Sequence, residues 1–466
     1  MSGAPQGRFL TGSTMGHVVR MTMTGAVGIT FIFLVDAANL FWISLLGDAQ
    51  LMAAIGFGFA VQYLSISVSI GLMIAATAVV SRSIGAGDRD RARQQATGAA
   101  IIAAAVQTAV ALLIVLYRHD ILALVGAEGR TATLAARYLA LSVPSLPIMG
   151  VAMVANGTLR ALGDGRRAMY VTLASGGVVM LIEPVLIYVL ALGLDGAAIG
   201  INLSRVVMLA MALWYAIGTH DSMAQPSWQA VQLTLRPYLV IALPATLTQL
   251  ATPVGNYLLT GVMAQFGDEA MAGWAVVGRL TVVAFGGIFS LSGAIGGIFG
   301  QNFGARQYDR LRQAYRDALL FGLIYTLAAW GLLILVSPSV SQIFGLTPLG
   351  QEVVRAYTHI GAGGFLFGGA LFVSNAAFNA LGKPVRSTLC NWARDGVLTL
   401  PVALVMAQWF QAPGVIYAQA VAVALVGVPA CLWGWRYVQS LARQGLPPLD
   451  LDPPRSYAHA DRFRRR

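Results

Sequence analysis

The stretch "GAGDRDRARQ" at 85–94 returns as "GARQYDRLRQ" at 304–313, with six of ten positions identical at an offset of 219. A second pair, "NGTLRALGD" at 156–164 and "NAAFNALGK" at 375–383, matches at four of nine positions with the same offset. One such match is within reach of chance. Two that share an offset mark an internal duplication.

Around these polar stretches the chain is apolar. Of its 466 residues 57% are hydrophobic and 11% charged, whereas a soluble domain carries roughly a quarter charged residues. Apolar runs of about 20 residues, the length that crosses roughly 30 Å of hydrocarbon, fall near 20–46, 52–81, 94–117, 133–160, 168–193, 196–218, 238–265, 270–302, 314–337, 352–381, 385–410 and 413–438. Backbone polar groups cannot go unpaired in lipid, so each run reads as a helix. The expected fold is an all-α polytopic membrane protein with twelve transmembrane helices in two six-helix lobes. An even number of crossings returns the chain to its starting side, so the halves run in the same sense as a parallel pseudo-two-fold repeat. The expected layout is an N-terminal segment (1–19), a first lobe (20–218), an inter-lobe loop (219–237), a second lobe (238–438) and a disordered basic tail (439–466).

Charge sets the expected orientation. Of the 30 basic residues, of which only Lys383 is a lysine, 23 share one side if the N-terminus is cytoplasmic. They occupy the termini and the loops holding Arg82 to Arg93, Arg160 to Arg167, Arg236, Arg306 to Arg316, and Lys383 with Arg386. The positive-inside rule then puts both termini in the cytoplasm. The net charge of +11 follows from this placement and from the "RFRRR" tail, and does not argue for nucleic acid. The first 19 residues lack the apolar core and cleavage site of a signal peptide, so the first helix is the expected insertion signal. Cys390 and Cys431 both fall in predicted helices and imply neither a disulfide nor a metal site.

Three acids lie well inside predicted spans: Asp36, Glu183 and Asp395. An ionised carboxylate is costly in a low dielectric, and such residues usually mark ion or proton pathways. Asp36 and Glu183 sit at similar depth in the first lobe, about ten residues from its outer edge at about 1.5 Å each. Glu183 precedes Pro184, a site for a kink. Asn39 shares a helix face with Asp36 and is placed to orient its carboxylate. The repeat mate of Asp36, at a local offset of 220, is Asn256, so the ionisable group belongs to one lobe only. Arg394 and Asp395 are adjacent and project about 100° apart on a helix; Asp395 is expected to pair instead with Arg205 or Arg279, as a structural ion pair. Gln62, Tyr63, Asn156, Asn202, Gln249, Thr252, Asn256 and Asn375 are further intramembrane polar residues; interhelical hydrogen bonds account for most of them.

No G-x-x-x-x-G-K-[ST], H-E-x-x-H or G-x-S-x-G motif is present, which removes the machinery of P-loop ATPases, zinc proteases and serine hydrolases. Ion-coupled secondary transport remains, without a cofactor. A major-facilitator carrier also has six plus six helices, but its long central loop is absent at 219–237.

Five stretches carry a resemblance: "FLVDAANLFWISLLGD" (33–48), "LMAAIGFG" (51–58), "VVSRSIGAGDRDRAR" (79–93), "NGTLRALGD" (156–164) and "GLDGAAIG" (193–200). Jointly they resemble multidrug and toxic compound extrusion (MATE) transporters, over about 18–438. The resemblance implies twelve helices in two lobes and export of amphipathic, often cationic compounds against protons or sodium. The implied setting is the lipid bilayer of a bacterial inner membrane, with a monomer as the working unit. The family's first-helix acid falls on Asp36. Its fifth-helix Asn and Asp-Pro fall on Val179 and Glu183-Pro184, so the Asn is missing and the acid is longer. The seventh-helix acid of some members falls on Thr252. These departures favour a DinF-like branch with its coupling site in the first lobe, at Asp36 and Glu183, and leave proton or sodium coupling open. Hard cations prefer oxygen ligands, so sodium at the two carboxylates is compatible with the residues. The alternative is a flippase for a lipid-linked or amphiphilic metabolite with the same superfamily fold, which Arg205, Arg279 and Arg394 keep open.

Overall fold

A computed structural model describes residues 7–444. Among them the secondary structure is helical throughout, without a strand. The first half comprises α1 (Thr14–Ser44), α2 (Ala49–Gly85), α3 (Arg89–Leu116), α4 (Gly129–Ala161), α5 (Gly165–Val189) and α6 (Gly193–Thr219). The second comprises α7 (Trp228–Ala264), α8 (Asp268–Gly304), α9 (Tyr308–Ile343), α10 (Pro348–Ala380) and a last apolar stretch, Pro384–Leu441. That stretch reverses at Gln411, which takes a φ of 56°, giving α11 before it and α12 after it.

The helices are longer than the apolar runs that announce them, because their polar ends continue past the hydrocarbon. Two expected boundaries move for this reason. Residues 228–237 are the start of α7 rather than loop, and residues 439–444 continue α12 rather than opening the tail. Residues 1–6 and the tail from 445 onward lie outside the described residues.

The repeated polar motifs are turns. In α2–α3 the chain leaves the helix through Gly87 (φ 77°) and re-enters at Asp88, whose carboxylate accepts from the Arg91 amide. Gly163 (φ 84°) and Asp164 do the same before α5. A left-handed residue ends one helix and an Asx cap starts the next. In the second half the mate of Gly87 is Arg306, which holds φ 58° without glycine, so the turn survives a less suited residue.

The helix starts repeat with the sequence. α2 and α8 begin 219 residues apart, as do α3 and α9, and α5 and α11. α4 and α10 are each interrupted by a short 3-10 turn, at Val143–Ser145 and Gly361–Gly364.

Where the halves meet, α2 and α8 cross at their C-terminal ends. A Cβ on Gly85 would lie 2.0 Å from the Gln301 carbonyl oxygen, and one on Gly304 2.1 Å from that of Arg82. Both pairs are repeat mates, so the contact is made twice across the pseudo-two-fold axis. Arg82 then reaches over to the carbonyls of Ala380 and Asn379, at 2.8 and 3.1 Å. Ser290 donates to the Thr22 carbonyl at 3.0 Å and Tyr238 to that of Leu72 at 3.0 Å. All of these lie in the half of the molecule that holds residues 7 and 444, the two ends of the described chain. Toward the other end no hydrogen bond joins the lobes among the described residues.

Candidate functional site

Asp36 stands two turns before the end of α1, on the side away from the inter-lobe hydrogen bonds. Its side chain is exposed and takes no hydrogen bond or ion pair among the described residues. Asn39, one turn further, is buried, and its amide serves a different acid from the one expected: Nδ2 donates to Glu183 Oε1 at 2.7 Å. The reason is reach. The buried face of α1 that holds Val35 and Asn39 packs on α5, whereas Asp36 is rotated about 100° away from that face.

Glu183 is completely buried, and its Oε2 has no hydrogen-bond partner among the described residues. Its seat is built by α6. A Cβ on Gly200 would lie 2.6 Å from Glu183 Cγ, so glycine is needed there to admit the acid. After Pro184 the backbone widens into a π-helix over Val185–Val189, which is how α5 absorbs the proline without a sharp break.

Gln62, Asn202 and Arg205 form a second polar group in the same lobe. The break in α4 frees carbonyl oxygens, and Arg205 Nη1 takes that of Ser142 at 2.7 Å, together with Ser145 Oγ at 2.7 Å. Arg205 Nη2 donates to Gln62 Oε1 at 2.7 Å. Asn202 donates to the Leu141 carbonyl at 2.8 Å and accepts from Ser145 at 2.6 Å. Arg205 therefore pairs with no carboxylate. Tyr138 is buried in the same lobe, its ring set so close to α2 that a Cβ on Gly58 would lie 2.6 Å from it. Sequence reasoning passed over Tyr138 and Gly200, since neither spacing nor residue type distinguishes them from core.

The second lobe treats its acid differently. Arg394 and Asp395, expected to diverge, bind each other through Nε–Oδ1 at 2.7 Å and Nη2–Oδ2 at 2.5 Å. The long guanidinium chain folds back over a π-helical turn, Ala393–Leu398, and overcomes the angular separation of the two Cβ atoms. Arg394 also donates to Thr252 Oγ1 at 3.3 Å, the position matching the seventh-helix acid. Arg279, Asn256 and Tyr63 are exposed and join neither cluster.

Asn156 and Asn375 are buried repeat mates at the same seam, but only Asn156 uses its side chain there. Asn156 Nδ2 donates to the Ala168 carbonyl at 3.4 Å, whereas Ser387, the mate of Ala168, donates its hydroxyl to the backbone carbonyl of Asn375 at 3.2 Å. They tie α4 to α5 and α10 to α11, away from the acids.

At the terminal end, outside the spans, Asp164 receives Arg167 at 2.7 Å and His220 at 2.9 Å. Burial alone pushes its carboxyl up. The hydrogen bonds from His220 and from the backbone and side chain of Arg167 outweigh this and hold it well below the usual carboxylate range.

The chain is similar in sequence to a FAD transporter of Shewanella oneidensis, 26% identical over 91% of this chain and 95% of that one. It is similar also to the multidrug export protein MepA of Staphylococcus aureus, 23% identical over 84% and 87%. Its fold matches an outward-facing multidrug resistance MATE transporter with a TM-score of 0.87 at 22% identity, over 95% of this chain and all of that one. A Pyrococcus furiosus transporter described as having a binding pocket of reverse polarity matches with a TM-score of 0.86 at 22% identity, over 95% and 100%. The MatE family model matches residues 26–189 and 244–405. With both repeats matched, this chain is a member of the MATE family, whose proteins are multi-pass membrane transporters and not enzymes.

Proposed function

We propose that the protein is an ion-coupled antiporter that exports amphipathic or cationic compounds by alternating access, with Asp36 and Glu183 as the coupling groups. The observation that carries this is the unequal treatment of the intramembrane acids: Asp395 is neutralised by Arg394, while Asp36 and Glu183 have no cationic side chain bound to them among the described residues. In this reading the protein sits in a bacterial inner membrane with its termini in the cytoplasm, so the closed end is cytoplasmic and the cleft faces outward. The exposed, ionised Asp36 carboxylate holds a cationic or amphipathic compound, and the buried Glu183 behind it adds to the negative field. Protonation from outside removes that attraction, α1 repacks, and the compound leaves.

The energetics suffice. At about 2.3 kcal/mol per charge per 100 mV, one proton falling through roughly 180 mV releases about 4 kcal/mol, which sustains roughly a thousand-fold gradient. Sodium in place of protons uses the same oxygens. A second reading, movement of an amphiphilic metabolite, is favoured by the likeness to the FAD transporter and by the buried, carboxylate-free Arg205.

The test is uptake of a labelled organic cation into proteoliposomes with pH and sodium gradients imposed separately. The Asp36→Asn protein is expected to fold and to lose gradient-driven transport. Wild-type rates in that variant, under either gradient, overturn the reading.

A further inference from the structure

The residues ahead of α1 are far from the acids, and their contacts are those of a wedge between the lobes. Arg8–Leu10 form one turn of 3-10 helix, with Phe9 1% exposed. The Phe9 ring lies against one glycine from each lobe: a Cβ on Gly163 would come within 3.0 Å of it, and one on Gly297 within 3.3 Å. Its backbone is held by the second lobe. The Phe9 N–H donates to Gln301 Oε1 at 2.9 Å, and its carbonyl accepts from Arg310 Nε at 2.8 Å. Arg310 Nη2 also donates to the Thr11 carbonyl at 2.7 Å. The first lobe holds the other edge. Arg8 Nη1 donates to the Gly163 carbonyl at 3.2 Å, and Gln301, the residue that accepts from Phe9, donates to the Ala161 carbonyl at 2.7 Å. Gly12, at φ 75°, then turns the chain into the Ser13 cap of α1.

We propose that Arg8–Thr11 is a strap that bolts the cytoplasmic gate: it seats in both lobes when that end is closed and must leave the first lobe before the lobes part. The strap keeps more hydrogen bonds to the second lobe, so opening breaks its bond to Gly163, and the Gln301–Ala161 bond beside it, while Gln301 and Arg310 retain it. Because it continues directly into α1, the helix that carries Asp36, a repacking of α1 pulls on the bolt. This rests on the alternating-access reading above.

The experiment measures the gate itself. Cys390 and Cys431 are replaced by Ser, and spin labels are placed through Arg89→Cys in the first lobe and Arg312→Cys in the second, both exposed at the closed end. Pulsed spin-resonance distances in lipid nanodiscs then report closed and open populations. Removing a buried phenyl ring from a packed site changes an equilibrium by roughly a hundred-fold or more. Since Phe9 stays partly seated by its backbone, a rise of about tenfold in the long-distance population is expected for Phe9→Ala. A similar rise is expected for a chain lacking residues 1–11, and a smaller one for Arg8→Ala. Folded Phe9→Ala and truncated proteins with the wild-type distance distribution overturn the strap. Transport assayed in parallel separates the two ideas. Normal transport with an unmoved gate discards the strap alone, whereas a shifted gate in a protein that moves no compound under any gradient keeps the strap and discards the antiport reading.

Discussion

The Asn39 amide binds Glu183 at 2.7 Å, joining α1 to α5 beside an Asp36 that is left without a partner. A hydrogen bond to a fully buried acid holds α1 in register with α5, so a change in the charge of Glu183 alters the packing of the helix that also carries Asp36.

Asn39→Ala leaves Glu183 without any hydrogen bond in a buried position. The expected cost is about 1–3 kcal/mol, seen as a lower unfolding temperature in detergent. Asn39→Asp is expected to be worse, because it sets a second carboxylate against the first. An unchanged melting temperature in both variants contradicts the contact.

Gly85→Ala and Gly304→Ala are predicted to act alike. Each Cβ would meet a backbone carbonyl at 2.0 to 2.1 Å across the lobe seam, and overpacking of this kind costs about 1–3 kcal/mol. The closed end should lose a factor of roughly 5 to 150 in population. Reactivity of cysteines placed on the seam, with a membrane-impermeant reagent, measures this. A large effect from one glycine and none from its mate breaks the symmetry argument.

Arg394→Ala or Asp395→Ala strands a charge in the second lobe, at a cost of about 3–5 kcal/mol. Replacing both by apolar residues of similar volume is expected to restore most of the stability, and transport with it, because the pair is assigned no part in coupling. Loss of transport in a stable double variant shows the assignment to be wrong.

The Asp164 carboxyl, held low by His220 and Arg167, contributes stability that is present above the ordinary Asp range, near pH 4. That contribution fades as pH falls through the lower folded value. Asp164→Asn should therefore destabilise the protein by about 1–3 kcal/mol at pH 7. The gap between variant and wild type should narrow below pH 4, as followed by thermal unfolding across pH.

The number of helices, their pairing into repeats and the polar turns between them were legible in the chain, because lipid forces every apolar run of sufficient length into a helix. The offset of 219 survives as the spacing of helix starts. The acids were visible for the same reason, since a carboxylate in an apolar run is rare. Which partner each acid takes was not. Asn39 turned to Glu183 instead of Asp36, and Arg394 folded back on its own neighbour.

Periodicity gives the face of a helix but not the helix that will cover it, nor where a flexible guanidinium will lie. Phe9 shows the limit most plainly. In sequence it is one aromatic residue in a polar leader, and only the approach of Gly163 and Gly297 from opposite lobes makes a slot that its ring fills. One-dimensional pattern fixes what must leave water; the approach of two lobes decides which groups meet when it does.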